Sequence, residues 1–428
     1  MTRVLVRGGT VVGPASVFAD GHVLVEAGRI VSVGPEAPEA ARAVGVDARD
    51  LYVLPGFVDL HSDVIEREIE PRPNAQFPTA LAVRELERRL AGHGITTMYH
   101  AISVAGEEFG LRSHDAARAL IETVREQRGS ALIRTRVHVR YEITDRPGLP
   151  VVRDLLRRRR IDLLSFMDHT PGQGQYHDAD EYHDYLVRTY GIGEARFGEI
   201  LRAKQAAAGG RHEIGRLAAM ARGDGVPLAS HDDDSAEKLA EAQAWGVTIS
   251  EFPMSLQAAR WAAAAGMAVC VGAPNIVRGG STGRNLRAVD AIRAGAAHIL
   301  CSDYYPAAML HAVFLLAGDA LTLPEAVAMA SLAPARAAGI AHEVGSLEPG
   351  KQADLIFVRM WHGLPVVAGA MVAGRWAYRV EYGCAAEPDE GERLAEVAWS
   401  PGARGVPPDR RPGRASSASE GRRRAARA

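Results

Sequence analysis

The run Leu54-Pro55-Gly56-Phe57-Val58-Asp59-Leu60-His61-Ser62-Asp63 ends an apolar stretch with an imidazole and a carboxylate two residues apart. Residues i and i+2 of a strand share a face, so His61 and Asp63 would project together from its C-terminal end. A nitrogen and an oxygen donor side by side suit a divalent metal. His-x-Asp alone is a weak signal, and its place directly after Pro-Gly, where a new element begins, sharpens it. Three more apolar runs end in the same chemistry: Ile161 to Asp168-His169, Val226 to His231, and Ile299 to Asp303. A lone histidine after an apolar run is as readily structural. Recurrence at successive run ends is what points to one metal site that includes His61, Asp63, His169, His231 and Asp303. Asp303 is also the candidate general base, since a carboxylate beside a metal-activated water can take its proton and hand it to the leaving group.

Val137-His138-Val139-Arg140-Tyr141-Glu142 alternates apolar and polar, which places His138, Arg140 and Glu142 on one face. His100, ending Thr97-Met98-Tyr99-His100, is a candidate for supporting the metal site or touching substrate. Glu251, in Ile249-Ser250-Glu251-Phe252-Pro253, either orients a ligand or caps its strand. The segment from Gly272 to Asn285 combines Arg278, Gly279, Gly280 and Arg284 with Ser281 and Thr282. Such a loop can wrap an oxyanion, because glycines let N–H groups converge and guanidinium forks match phosphate oxygens. It lacks the Gly-Lys-Ser/Thr end of a nucleotide-binding P-loop. With Arg67, Arg72 and Arg140 it predicts an anionic, phosphorylated substrate.

These residues need elements to position them. Segments within 1–54 alternate and are punctuated by glycine, as in His22-Val23-Leu24-Val25 and Arg29-Ile30-Val31-Ser32-Val33, and the signal returns at Leu355-Ile356-Phe357-Val358 and from Met371 to Tyr378. Residues 1–54 and 343–385 are therefore expected to form one small discontinuous β-sandwich domain from both ends of the chain. Between them, over 55–342, strand-like runs ending near Asp63, His100, Glu142, His169, His231, Glu251, Asn275 and Asp303 alternate with amphipathic stretches. That order predicts an α/β fold, a (β/α)8 TIM-like barrel with its site at the C-terminal strand ends. The long insert between His169 and His231 reads as a lid or binding loop. Residues 386–428 are expected to be a disordered basic tail, since the last 28 residues hold eight arginines, two acids and almost nothing apolar.

At 428 residues, 47% hydrophobic and 24% charged, the chain is neither fibrous nor disordered, and a net charge of -2 removes the global electrostatic case for nucleic acid or an anionic membrane as partner. Cys270, Cys301 and Cys384 have no short spacing and make neither a disulfide framework nor a thiolate zinc site. No leader pattern and no apolar run of membrane-spanning length is present, so a cytoplasmic location is expected.

The His61-Ser62-Asp63 opening and the Asp303 closing resemble the amidohydrolase superfamily, which pairs His-x-His on its first barrel strand with an Asp after the eighth; Asp63 stands where most members have the second histidine. Many members bridge two metals with a carboxylated lysine. Lys204, Lys238 and Lys351 are the only lysines here and none ends a strand-like run, so that bridge is excluded and Glu142 becomes the substitute. Longer motifs resemble the phosphonate-metabolism branch serving the carbon–phosphorus lyase pathway. They are Glu70-Pro71-Arg72-Pro73, Phe166-Met167-Asp168-His169-Thr170-Pro171-Gly172-Gln173-Gly174-Gln175-Tyr176, Ala229-Ser230-His231-Asp232-Asp233-Asp234, Glu251-Phe252-Pro253, Gly272-Ala273-Pro274-Asn275 with Arg278-Gly279-Gly280-Ser281, and Cys301-Ser302-Asp303-Tyr304-Tyr305-Pro306. The resemblance implies one or two divalent ions, zinc first and manganese or iron as alternatives, and hydrolysis of a ribose phosphonate 5-triphosphate to the 5-phosphate and pyrophosphate. The partners implied are a small phosphorylated sugar phosphonate and further copies in a homo-oligomer. The competing expectations are a hydrolase of cyclic amides or aminopurines, which predicts a less cationic pocket, and a non-catalytic binding or scaffold homologue, which predicts missing ligands.

Overall fold

The structure is a computed structural model that describes residues 3–40, 42–72, 74–106, 112–170, 183, 187, 193–207, 211–281 and 285–381, with backbone alone at 194, 203–207 and 211. The tail expected at 386–428, Arg284 and most of the motif after Thr170 lie outside these residues.

The chain opens with β1 (Arg3–Val12), β2 (Val17–Glu26), β3 (Arg29–Gly34), β4 (Val44–Asp47) and β5 (Tyr52–Pro55). β2 and β3 join through Ala27-Gly28, both at positive φ (52° and 79°). This is the geometry of the two-residue turn whose twist matches that of the strands, and it needs a residue without a Cβ clash. β1 pairs with β2 along one edge; along the other it pairs first with β4 at Val4–Arg7 and then with β5 at Thr10–Val11, so the sheet forks. Eight barrel strands follow: β6 (Phe57–Ser62), β7 (Ile95–Val104), β8 (Arg134–Glu142), β9 (Leu163–Met167), β10 (Leu228–His231), β11 (Ile249–Glu251), β12 (Ala268–Gly272) and β13 (Ile299–Cys301). The chain then returns through β14 (Leu355–Trp361), β15 (Leu364–Val372) and β16 (Arg375–Arg379), and β14 pairs antiparallel with β5. Val6, Val23, Val53, Leu355 and Phe357 share one apolar core between the two ends, as expected of a discontinuous β-sandwich domain.

β6 to β13 are parallel neighbours in chain order. In β8, Val137, Val139 and Tyr141 are buried in the layer between strands and helices, and His138, Arg140 and Glu142 face the opposite way, into the barrel. Burying one such valine contributes about 1.5–3 kcal/mol relative to leaving it in water, and this outer layer holds the inward polar face in place. The barrel closes at its C-terminal rim, where Ser62 and Asp303 bridge. Asp303 N donates to His61 O at 2.9 Å, and Asp63 N donates to Asp303 O at 3.2 Å. The closure is thus made by the residues expected to carry chemistry. Two strand ends differ from expectation: β7 continues past His100 to Val104, and Asn275 lies beyond β12 on the helix Ala273–Arg278.

Gly56 separates the two domains, and any Cβ there would stand 2.2 Å from Thr96 Oγ1, so only glycine fits. Arg134, at the start of β8, forms an ion pair with the buried Asp354 and a hydrogen bond with Gln352, locking the barrel to the end domain. Cys270 and Cys301 are buried and free. Among the described residues no helix is long and apolar enough to cross a membrane.

Candidate metal centre

Two carboxylate–imidazole pairs organise the rim. Glu142 ends β8, and His169 lies two residues beyond β9; His169 Nδ1 meets Glu142 Oε2 at 2.9 Å, and Glu142 Oε1 also accepts from Thr144 Oγ1 at 2.7 Å. A proton on Nδ1 directed at a carboxylate leaves Nε2 with the lone pair. His231 ends β10. Its Nε2 lies 3.1 Å from Arg140 Nη2 and its Nδ1 lies 3.4 Å from Glu251 Oε2. A guanidinium only donates, so Nε2 accepts and Nδ1 carries the proton toward Glu251. Both Nε2 atoms face Asp232, whose Oδ2 is 3.9 Å from that of His169 and 3.6 Å from that of His231. His169, His231 and Asp232 each offer a ligand atom within 4.8 Å of the others.

A second group of the same compactness is His61, His231 and Glu251. His61 Nδ1 is 3.1 Å from Glu251 Oε2, yet His61 Nδ1, Glu251 Oε1 and Asp63 Oδ1 are buried without a hydrogen-bond partner. The His61 and His231 rings stack at 5.2 Å, and Phe252 meets both edge-on, at 5.0 and 5.2 Å. Unpartnered buried nitrogen and carboxylate atoms are costly in a protein interior. They are accounted for if a cation takes their lone pairs, and imidazole with carboxylate is the donor set of zinc, manganese or ferrous iron. The residues fit a divalent metal.

The electrostatics agree. Burial, and next Arg140, hold His61 and His231 well below the usual imidazole range, so both are neutral, as metal binding requires. Burial and then Asp63 push the Asp303 carboxyl up to about 7, with Arg140 opposing. Burial lifts Asp59 to about 6 although its Oδ1 accepts from the N–H groups of His61 and Ser302. Asp232, Phe252 and Asp303 each follow a strand end at positive φ, 52°, 54° and 56°. Left-handed backbone at a non-glycine residue costs about 1–2 kcal/mol, and such strain concentrates at functional sites.

His61, Asp63, His169, His231 and Asp303 are thus brought to one rim. Glu142 is there as well, with Oε2 on His169 and Oε1 on Thr144, contacts that suit aiming an imidazole and still leave lone pairs for the bridge between metals that was expected. Arg140 is buried at the centre, 7% exposed. His100 is not on this face: it shares its side of β7 with Met98, Ile102 and Val104, which pack toward the helices. Arg72 is exposed. Arg278, in the last turn of Ala273–Arg278, is exposed and donates to Tyr304 Oη at 3.3 Å. The oxyanion loop needs correction. Gly279 is the left-handed cap of that helix, its N–H bonded to Ile276 O at 3.1 Å, and Gly280 N donates to Asn275 O at 2.9 Å. Those N–H groups satisfy helix carbonyls, and a helix C-terminus repels anions. Lys238 Nζ donates to Asp232 O at 3.0 Å and Lys351 Nζ to Ser346 Oγ at 2.6 Å. The role of Asp232 was missed, whereas Glu251, expected either to orient a ligand or to cap its strand, lies 3.4 Å from His231 Nδ1. Asp232 follows His231 directly, and strand alternation would turn it away; its left-handed backbone turns it back.

These features define a class. The amidohydrolase family model matches residues 52–377, and the chain belongs to that family. It is 34% identical over 318 residues to the α-D-ribose 1-methylphosphonate 5-triphosphate diphosphatase of Escherichia coli strain K12, which covers 73% of this chain and 84% of that one. It is 28% identical over 400 residues to the imidazolonepropionase of Symbiobacterium thermophilum, which covers 84% and 91%. The solved N-isopropylammelide isopropylaminohydrolase of Burkholderia multivorans shares its fold, with a TM-score of 0.61 and 19% identity over 88% of this chain and 98% of that one.

Proposed function

We propose that the chain hydrolyses a phosphoanhydride, converting α-D-ribose 1-methylphosphonate 5-triphosphate and water to the 5-phosphate and pyrophosphate. The observation that carries this reading is Arg140. Among the described residues no carboxylate lies within 4.0 Å of its guanidinium, and its buried Nε has no partner. A buried guanidinium with no carboxylate in ion-pair contact is suited to receive an anionic substrate at a metal centre, and phosphoryl oxygens match its fork. The likeness to the Escherichia coli diphosphatase supports the same substrate.

A divalent ion at this centre, zinc first, supplies Lewis acidity and lowers the pKa of a water. His169, His231 and Asp232 would hold it, with Asp63 and His61 as further donors, and Glu142 and Glu251 would keep the imidazoles aimed. Asp303, poised near 7, takes a proton from the attacking water and returns it to the departing phosphate. Arg140 absorbs the charge that grows on the phosphoryl oxygens. The imidazolonepropionase likeness supports cyclic-amide hydrolysis as the alternative; such a substrate brings Arg140 at most a single carboxylate, whereas a triphosphate brings several phosphoryl oxygens to its fork.

The test is phosphorus NMR of zinc-loaded protein with the ribose phosphonate triphosphate. Pyrophosphate and the 5-phosphate should appear in equal amounts from the first time point. Stepwise orthophosphate, or an intact triphosphate, removes the proposal.

A further inference from the structure

His231 has two ring nitrogens and, when neutral, one lone pair. Nδ1 faces Glu251 and Nε2 faces His169, Asp232 and Arg140. Two cations therefore seek the same electrons: the guanidinium, whose Nη2 donates to Nε2 at 3.1 Å, and any metal held between His169, His231 and Asp232. Both cannot use that lone pair at once. Glu251 cannot relieve the conflict by taking the proton's place, because it is itself an acceptor that fixes the proton on Nδ1. Arg140 is also poorly anchored against displacement, since its Nε has no partner.

We propose that Arg140 competes with the metal for His231 Nε2, acting as an internal cation that sets metal affinity and leaves when the metal binds. Before loading, its positive charge sits among Asp303, Asp232 and Glu251, all of which feel it, and limits their mutual repulsion. Loading replaces one positive charge with two and releases Nη2. The freed Nη2 then joins Nε as a pair of donors for an oxyanion, so metal binding prepares the anion site. That last consequence rests on the phosphoanhydride reading; the competition does not.

The experiment is zinc affinity of the full chain, measured by competition with a chromophoric chelator, for wild type and Arg140→Met. A lost hydrogen bond to a charged group corresponds to about tenfold to a hundredfold in a binding constant, so Arg140→Met should bind zinc at least about tenfold more tightly. Equal or weaker binding overturns the proposal. A second readout needs only wild-type folding: in protein carrying 15N-arginine and 15N-histidine, zinc should shift the Arg140 guanidinium signal together with His231 Nε2. A zinc-induced shift of His231 Nδ1 with Arg140 unmoved overturns it as well. Neither readout involves turnover, so failure of the diphosphatase reading is scored separately.

Discussion

Replacing Glu142 separates two roles for the same carboxylate. If it aims His169, then Glu142→Ala removes the acceptor 2.9 Å from Nδ1 and the acceptor 2.7 Å from Thr144 Oγ1, and His169 Nε2 is no longer held toward Asp232. One charge-assisted hydrogen bond contributes about 1.5–3 kcal/mol, and loss of a carboxylate behind a metal-binding imidazole typically lowers metal affinity about 10- to 100-fold. Glu142→Ala should fall near the upper end of that range. Glu142→Gln keeps an acceptor oxygen for His169 but loses the charge, and should fall near the lower end. The number of ions per chain should stay the same in both, because no ligand is removed. Chelator competition gives the affinity and elemental analysis the stoichiometry, with circular dichroism confirming the fold. A drop in ions per chain, with the remaining ion bound at wild-type affinity, would show Glu142 to be a bridging ligand and refute the orienting role.

Asp303→Asn removes the proton acceptor and should lower kcat by about 10²- to 10⁴-fold with little change in thermal midpoint; activity near wild type eliminates Asp303 as the base. Burial lowers the His100 imidazole to about 4 from 6.5, so folding favours its neutral form. Its stabilising contribution is complete above pH 6.5 and is lost as pH falls toward 4, amounting to about 3 kcal/mol at most. His100→Leu should therefore show a shallower loss of stability between pH 6.5 and 4 than wild type, and parallel curves contradict the placement of His100. Arg134→Ala leaves Asp354 buried without its partner and should cost about 3–5 kcal/mol in urea unfolding; an unchanged midpoint rules out this lock between the domains.

The barrel was legible because each strand is an apolar run that stops at a polar residue, and the C-terminal strand end is where side chains of successive strands converge. His61, His169, His231 and Asp303 followed from that rule alone. What escaped was set by backbone turns and by partners distant in sequence. Asp232 and Phe252 enter the site through left-handed residues that break two-residue periodicity. Glu142 reads as a ligand from its strand end, and the orienting alternative becomes visible only when His169, 27 residues later, is placed 2.9 Å from its Oε2. Gly279 and Gly280 read as an anion loop until Ala273–Arg278 forms a helix that they must cap. His100 follows an apolar run like the others, but β7 carries on for four more residues, so the polar residue is not the strand end.

The claim that this centre acts on a polyphosphate is tested most directly by a competition on one preparation. Zinc-loaded wild-type protein is given the ribose phosphonate triphosphate and 4-imidazolone-5-propanoate separately, and kcat/KM is measured for each. The account predicts turnover of the triphosphate exceeding that of the cyclic amide by at least about a thousandfold, with pyrophosphate as the first phosphorus product. Faster ring opening of the imidazolone, with the triphosphate unreacted, would contradict it.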